Sequence, residues 1–149
     1  MDSCIKKAYA KINLGLDVVG RLENGYHEVR MIMQNVDIFD VLTLVKAESG
    51  ITITTDSGEL PTDENNLIYR AAKLMKERFH IAEGVRIHLE KHIPIAAGMA
   101  GGSADAAATF AGMNELFASG AGEAELREFG RDHFSGCRPC ILGKHIFRR

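Results

Sequence analysis

Hydrophobic and polar residues alternate along the first part of the chain, from position 9 to position 19. The apolar side of this pattern consists of Ala10, Ile12, Leu14, Leu16 and Val18. A period of two is typical of a β-strand with one buried face. The glycines and the Asn24-Gly25 pair within residues 20–26 predict a turn after this strand.

The rest of the pattern predicts a mixture of strands and helices. Residues 28–46 predict one or two strands, broken near 37–40, where Asp37 and Asp40 are expected in a turn. Alternation or β-branching predicts short strands at 51–54 and 85–89. Helical spacing predicts a first helix within 63–80, capped by Asp63 or Asn65. Further helices are predicted over 104–117 and 123–129, and the order of elements predicts a layered α+β domain.

The segment with the most chemical information is the glycine-rich loop at 94–105, between a predicted strand and a predicted helix. Glycine allows positive φ and lets a ligand approach the backbone closely. The first N–H groups of a helix lack intrahelical partners and carry partial positive charge. The combination predicts a phosphate site, where Ser103 is expected to cap the helix, contact a phosphate or help to hold Mg²⁺. The loop lacks the Gly-Lys-Ser/Thr ending of a P-loop, so the pattern alone leaves a purely structural connection open.

Two further motifs are candidates for ligand contact. Lys11 shares a face of the first predicted strand with Asn13, and this lysine lies either in a cleft or on a solvated strand edge. Tyr26 and His27 follow the predicted turn, where an aromatic ring and an imidazole can stack on a flat ligand and hydrogen-bond to it. An ordinary half-buried tyrosine in a turn is the alternative interpretation.

These elements, in this order, resemble the GHMP small-molecule kinases. The resemblance rests on residues 6–14 (KKAYAKINL), 25–27 (GYH), 65–72 (NNLIYRAA) and 94–105, and it covers residues 5–129. It implies a two-layer amino-terminal kinase domain, similar to the ribosomal protein S5 domain 2-like fold. The first two motifs resemble the branch of the family that phosphorylates a cytidyl-diphospho sugar alcohol in isoprenoid biosynthesis.

The resemblance also implies an ATP site, with ATP and Mg²⁺ as the cofactors. Asn66 and Leu67 would lie near the adenine or the ribose. The residues that would wrap the ATP phosphates are Pro94, Ile95, Ala96, Ala97, Gly98, Met99, Ala100, Gly101, Gly102, Ser103 and Ala104.

The resemblance further implies an acceptor site for a small-molecule substrate. Lys11 would be the catalytic residue, beside the acceptor hydroxyl and the transferring phosphoryl group. Asn13 would help to fix the acceptor, and Tyr26 and His27 would hold its cytosine ring. Related kinases act on mevalonate-type acids, homoserine or sugars, and Arg21 and Arg30 beside the Tyr-His pair leave an acidic acceptor open.

The segment at 130–149 departs from the family pattern. The family has a Gly-Ala-Asp-Val-Pro motif with a general-base aspartate, whereas this chain has Gly136 in the aspartate's place and Asp132 four residues earlier. Residues 140–143 match the family again, which suggests compensating reading-frame shifts. We expect the domain at 1–149 to lack the family's carboxy-terminal domain and, without base or second cleft wall, to have very low turnover.

Two other functions remain open for this chain. The spacing of His133, Cys137, Cys140 and His145 has the ligand types of a zinc site, although it matches no common zinc motif closely. A chain that represents half of a kinase is also compatible with a non-catalytic binding fragment.

Composition excludes several classes of function. The net charge of −2 gives no reason to expect a nucleic-acid partner. An odd number of cysteines, three, argues against a disulfide framework and favours a reducing compartment. The first residues lack the apolar core of a secretory signal, and no apolar run is long enough to span a membrane. We therefore expect a cytoplasmic protein.

Overall fold

The structure is a computed structural model, in which residues 1–25, 27–134 and 146–148 are described. Five strands form one sheet: β1 (Ser3–Arg21), β2 (His27–Ala47), β3 (Ile51–Thr55), β4 (Gly84–Glu90) and β5 (Ile146–Arg148). Their order is β1-β2-β4-β3, and β5 pairs with β2. β3 and β4 are parallel, and the other pairs are antiparallel. Three helices complete the described fold: α1 (Leu67–Arg78), α2 (Gly101–Leu116) and α3 (Glu123–His133).

The core lies between one face of the sheet and the helices. Leu42 and Leu44 on β2 alternate with partly exposed residues, and Ile87 and Leu89 on β4 alternate with exposed ones. α2 carries small residues on most of its surface and is buried along most of its length, with Phe110 fully buried. A helix that is apolar all round belongs in a core rather than on a surface. This arrangement confirms the predicted α+β fold, and no helix in the described part of the chain is long and apolar enough to cross a membrane.

The first helix begins later than predicted, and its cap is a different residue. The Oδ1 atom of Asn66 accepts the Ile68 N–H at 2.8 Å, so Asn66 caps α1 and the expectation of Asp63 or Asn65 was wrong. The Asp63 carboxylate instead accepts the Asn65 N–H at 2.9 Å. An aspartate that forms such a local turn is not available as a helix cap.

The second and third helices are longer than predicted. α2 begins three residues early, at Gly101, and α3 continues to His133. The cap position of α2 is Ala100, in the left-handed conformation and without a side-chain hydrogen bond, so the expectation that Ser103 caps the helix was wrong. Ser103 lies within the first turn instead.

β2 is one continuous strand, so the predicted break at 37–40 does not occur as a turn. Its ladder with β1 passes from Tyr9↔Phe39 to Lys11↔Asn35, which leaves two more residues on β2 than on β1. An irregularity of this kind bends the strand without ending it. Asp40 is fully buried in the strand, and its assignment to a turn was wrong.

The outer ribbon (residues 13–33) is the part of β1 and β2 that ends at the connecting turn. The alternation predicted a buried face along β1, and this prediction is correct for Ala10, which precedes the ribbon and is fully buried. It is wrong for Leu14, Leu16 and Val18, whose exposures are 61%, 48% and 60%. The two strands continue past the region that the described helices cover, so an apolar face can form there without being buried.

Candidate phosphate-binding cleft

A cleft of about 400 Å³ lies between the start of α2 and the start of α1. The loop at 94–100 and the first three residues of α2 form one wall, and Asn66 and Leu67 belong to the other. Leu89 and Lys91 also line it. The structure therefore brings nearly all of the predicted ATP-site residues to one cavity; Ala104 is buried behind the wall.

The loop has left-handed backbone at every second residue. The φ angles are +57° at Ala96, +73° at Gly98 and +57° at Ala100. Residues other than glycine adopt this conformation at a penalty of roughly 1 kcal/mol. Where a left-handed residue is paired with a right-handed one, successive N–H groups point towards one concave side, which is a common anion-binding geometry.

The start of α2 adds a second source of N–H groups. Ala100 provides no side-chain hydrogen bond to the start of α2. The first N–H groups of a helix have no intrahelical partner, and phosphates often bind there. Two glycines allow the helix to begin so close to its neighbours. A Cβ on Gly101 would lie 2.9 Å from Lys91 Nζ, and a Cβ on Gly102 would lie 3.0 Å from Leu67 Cδ1.

Lys11 is attached to the loop at two points. Its Nζ donates to the Gly98 carbonyl at 3.1 Å, and its backbone N–H donates to the Met99 carbonyl at 3.1 Å. The structure thus places the predicted catalytic lysine at the rim of the glycine loop, half-buried on β1. A cation in this position adds positive charge next to the loop amides.

Asn66 lies at the cleft, but its side chain has a structural task. Besides capping α1, it donates through Nδ2 to the Pro61 carbonyl at 2.7 Å. Leu67 presents its side chain to Gly102, on the opposite wall. The Oδ1 and Nδ2 atoms of Asn66 are therefore already hydrogen-bonded, whereas the Leu67 side chain offers an apolar contact surface to a ligand.

The predicted acceptor residues lie farther along the outer ribbon. Asn13 is exposed and pairs with Met33, and His27 is exposed at the first position of β2, opposite Arg21. Ten residues separate Lys11 from Arg21, on the order of 30 Å of extended strand. Register shifts at Asn13/Gly15 and Val18/Gly20 bend the ribbon and shorten that separation through space. Tyr26 lies outside the described residues.

A buried charged cluster, which none of the sequence motifs predicted, lies beneath the loop. Lys91 Nζ lies 2.5 Å from Asp40 Oδ2 and 3.1 Å from Asp105 Oδ2. The other oxygen of Asp40 accepts the N–H groups of His92 and Ile93, at 2.5 and 2.7 Å. Side-chain exposure is 8% for Lys91, 0% for Asp40 and 4% for Asp105. We call these three residues the lysine cluster.

Asp105 is the least satisfied member of the lysine cluster. Burial raises the pKa of its carboxyl to about 8, the Lys91 ammonium opposes that rise, and the Asp40 carboxylate reinforces it. Its Oδ1 atom is buried and has no hydrogen-bond partner. A carboxyl in such surroundings holds its proton at neutral pH.

A signal for the lysine cluster is present in the hydrophobic pattern. Asp40 is in phase with the buried Leu42 and Leu44 of β2, and Lys91 is in phase with Leu89 and Ile93. A charged residue on the buried phase of a strand requires a partner of opposite charge. An aspartate and a lysine, each on the buried phase of its own strand, would therefore have suggested the ion pair between Asp40 and Lys91.

The described residues contain no group of three or more acidic, histidine or cysteine side chains that could hold a metal ion. Mg²⁺ needs few protein ligands when phosphates supply the others, and Ser103 at the start of α2 fits that role. Asp105 does not, because its carboxyl is buried against Lys91. Of the zinc candidates, Cys137, Cys140 and His145 lie outside the described residues, as does Gly136.

Comparison with known proteins supports a family assignment. A family model of the GHMP kinases N terminal domain matches residues 66–136, which include α1, the glycine loop and α2. The crystal structure of a 4-(cytidine 5'-diphospho)-2C-methyl-D-erythritol kinase is 34% identical with a TM-score of 0.83, covering 95% of this chain and 50% of that one. A homoserine kinase from Cytophaga hutchinsonii has a TM-score of 0.76 at 22% identity, over 99% of this chain and 48% of that one, and shows the shared fold.

The chain belongs to the GHMP kinases and has the fold of their amino-terminal domain. Among its curated relatives is the 4-diphosphocytidyl-2-C-methyl-D-erythritol kinase of Caldicellulosiruptor bescii, 51% identical over 92% of this chain and 48% of the relative. The kinase of that name from Lachnoclostridium phytofermentans is 53% identical over 95% of this chain and 49% of the relative. The chain thus spans about half the length of the curated relatives that it matches.

Proposed function

We propose that this chain forms the ATP-binding domain of a kinase that phosphorylates the 2-hydroxyl of 4-diphosphocytidyl-2-C-methyl-D-erythritol in the non-mevalonate route to isoprenoid precursors. The observation that carries the proposal is the glycine loop. Its alternating left-handed residues lead directly into α2 and share one cleft with Leu67. The relatives at about half identity bear the name of this kinase.

The chemistry of phosphoryl transfer fits this cleft. The transferred group carries negative charge on three oxygens, and an enzyme accelerates the reaction mainly by positioning and by electrostatic stabilisation. Loop amides and the start of α2 supply positive charge to the cavity, and the Lys11 ammonium lies beside the loop, at the Gly98 carbonyl. Lys11 would leave the Gly98 carbonyl to contact the transferring phosphoryl group.

The nucleotide would lie along the cleft with its phosphates at the loop. Leu67 would contact the adenine or the ribose, and Asn66 would support that contact from the cap of α1. Mg²⁺ would be held mainly by the phosphates, with Ser103 as a protein ligand, and would neutralise charge on the β- and γ-oxygens.

An elongated acceptor suits the separation of the other predicted residues. Asn13 follows Lys11 on β1, whereas His27 lies at the far end of the outer ribbon. A ligand with a reactive hydroxyl at one end and a cytosine at the other can contact both regions. Tyr26 and His27 would then stack on the base and hydrogen-bond to it.

A binding measurement and a transfer assay test the proposal. The chain should bind an ATP analogue by calorimetry, and Lys11→Met should bind it more weakly. In a chimera that continues with the second half of the Caldicellulosiruptor bescii relative, transfer from ATP to 4-diphosphocytidyl-2-C-methyl-D-erythritol should be restored, whereas the chain alone should be nearly inactive. Lys11→Met in the chimera should lower kcat by about 10²-fold or more.

The assay also separates this acceptor from those of related kinases. Mevalonate, homoserine and a hexose should not be phosphorylated by the chimera at comparable rates. Preference for one of these acceptors would reject the cytidyl substrate. Failure of both the chain and the chimera to bind any nucleotide would reject the kinase assignment itself.

A further inference from the structure

We propose that Lys91, held between Asp40 and Asp105, is a positioning residue that sets the spacing between the two ends of the phosphate loop. This inference rests on the proposed nucleotide site and adds a residue that neither the sequence motifs nor the family resemblance assigned to it. The three side chains would hold the loop amides in a converging arrangement before a ligand arrives.

The lysine cluster joins both ends of the loop to the sheet. Asp40 belongs to β2 and binds the backbone N–H groups of His92 and Ile93, directly before the loop. Asp105 belongs to the first part of α2, directly after the loop. Lys91 bonds to both carboxyls, so its ammonium links the strand before the loop to the helix after it.

The packing around the ammonium supports a role in spacing. Gly101, the first residue of α2, leaves room for Lys91 Nζ, since a Cβ there would approach to 2.9 Å. The helix start therefore rests directly on the lysine. A change in the length or charge of this side chain would move the helix start relative to the loop.

Burial of the lysine cluster carries a desolvation penalty that offsets most of the stability its contacts could provide. Three charged or polar side chains out of water gain little net stability, and apolar residues of similar volume often serve as well or better. Polyphosphate binding, in contrast, depends on the positions of the backbone N–H groups, and a misplacement of about 1 Å can weaken such a site strongly. The cluster is therefore better explained by positioning than by stability.

The charged groups that surround the cluster come from several elements. Asp40 faces Lys91 from β2, and the Asp56 carboxylate after β3 accepts the Lys91 backbone N–H at 2.8 Å. The Nδ1 atom of His92 lies 3.1 Å from the Phe39 carbonyl oxygen. Removal of the Asp105 carboxyl would take away the bond from Lys91 to α2 and leave the bond from Lys91 to Asp40 in place.

The test compares Asp105→Leu with Asp105→Asn. Leucine removes the α2 anchor but leaves Lys91 paired with Asp40, whereas asparagine keeps an oxygen that accepts from Lys91. Glu115→Leu removes a carboxylate that pairs with Lys6 at the far end of α2, and serves as the matched control. Each protein is titrated with ATP and with adenosine, and thermal unfolding reports whether it is folded.

The readout is the preference for ATP over adenosine, because general destabilisation does not change that ratio in the folded protein. Asp105→Leu should lower the preference by about ten-fold or more, and Asp105→Asn and Glu115→Leu should change it by less than about three-fold. An unchanged preference in folded Asp105→Leu would overturn the inference. If that variant does not fold, Lys91→Met with Asp105→Leu gives the same readout. If neither folds, the cluster holds the fold together, and the inference is equally overturned.

Failure of the proposed function is distinguishable from failure of this inference. A wild-type chain that binds neither ATP nor inorganic tripolyphosphate would reject the phosphate site itself. A wild-type chain that binds ATP, with all folded variants alike, would reject only the role of the lysine cluster.

Discussion

Replacement of Asp105 by asparagine removes the proton that burial holds on this carboxyl. The pKa is about 8 in the folded chain, against 3.8 for the ordinary side chain. Between these values the folded chain binds one proton more than the unfolded chain. The stability linked to this proton is therefore fully present below pH 3.8 and is lost as the pH rises towards 8. Asparagine resembles the protonated carboxyl but does not titrate.

One proton changes the free energy of unfolding by about 1.36 kcal/mol per pH unit. Between pH 5 and pH 7, the stability of the wild-type chain relative to Asp105→Asn should fall by about 2.7 kcal/mol, which is the limit for a single group. Above about pH 8 the difference should level off, since both states are then ionised.

Urea unfolding followed by circular dichroism at pH 5, 6, 7 and 9 measures this difference. Subtraction of the variant from the wild type cancels the titration of groups that the substitution does not touch. A difference that stays constant to within about 0.5 kcal/mol over pH 5 to 7 would refute the reasoning. A constant difference would mean that the Lys91 ammonium fully offsets the cost of burying an ionised Asp105 carboxylate.

Three further substitutions and one control, Gly58→Ala, test the packing by urea unfolding. Gly84→Ala should lower the free energy of unfolding by about 3 kcal/mol, because the new Cβ would overlap the backbone of Ser49. The control Gly58→Ala places its Cβ in open space and should change the free energy of unfolding by less than about 0.5 kcal/mol. Similar losses in both variants would contradict this packing. Asn66→Ala should lower stability by about 1–2 kcal/mol, since α1 loses its cap and a loop carbonyl loses its donor, and an unchanged unfolding midpoint would disprove the cap. Phe110→Ala should lower stability by about 3–5 kcal/mol through a cavity in the core, and a loss under about 1 kcal/mol would place this ring outside it.

The elements that could be predicted from the sequence are those whose signals are local. The strand at 84–90 and the helix that begins at Leu67 have clear periods of two and of helical spacing. The glycine loop was also visible, because its residue types and its position before a helix are both local features. The left-handed backbone at Ala96 and Ala100 was not, since alanine gives no sign of that conformation.

The lysine cluster was missed because its contacts are distant in the sequence. Asp40 and Lys91 are 51 residues apart, and they meet only through the pairing of β2 with β4. Aspartate is common in turns, so the local signal at Asp40 favoured the wrong interpretation. Its phase with Leu42 and Leu44 was the better guide.

The exposed face of the outer ribbon illustrates a different limit. Alternation identifies residues that share one side of a strand, but it does not identify what lies against that side. Ala10 and Leu14 have the same phase on β1, yet only Ala10 is covered by the described helices. Burial at that point depends on where the neighbouring layer ends.

β1 and β2 are each continuous, but the outer ribbon and the core parts of these strands should unfold in separate steps. The described neighbours of the outer ribbon are its own two strands and the short β5, so its hydrogen-bond ladder can open while the core remains intact. In deuterated water its amides should exchange through this sub-global opening, at a lower free energy than amides at Leu42 and Leu44, which require complete unfolding. Lys11 lies where the two parts join, so local opening of the ribbon would leave its bonds to the loop in place.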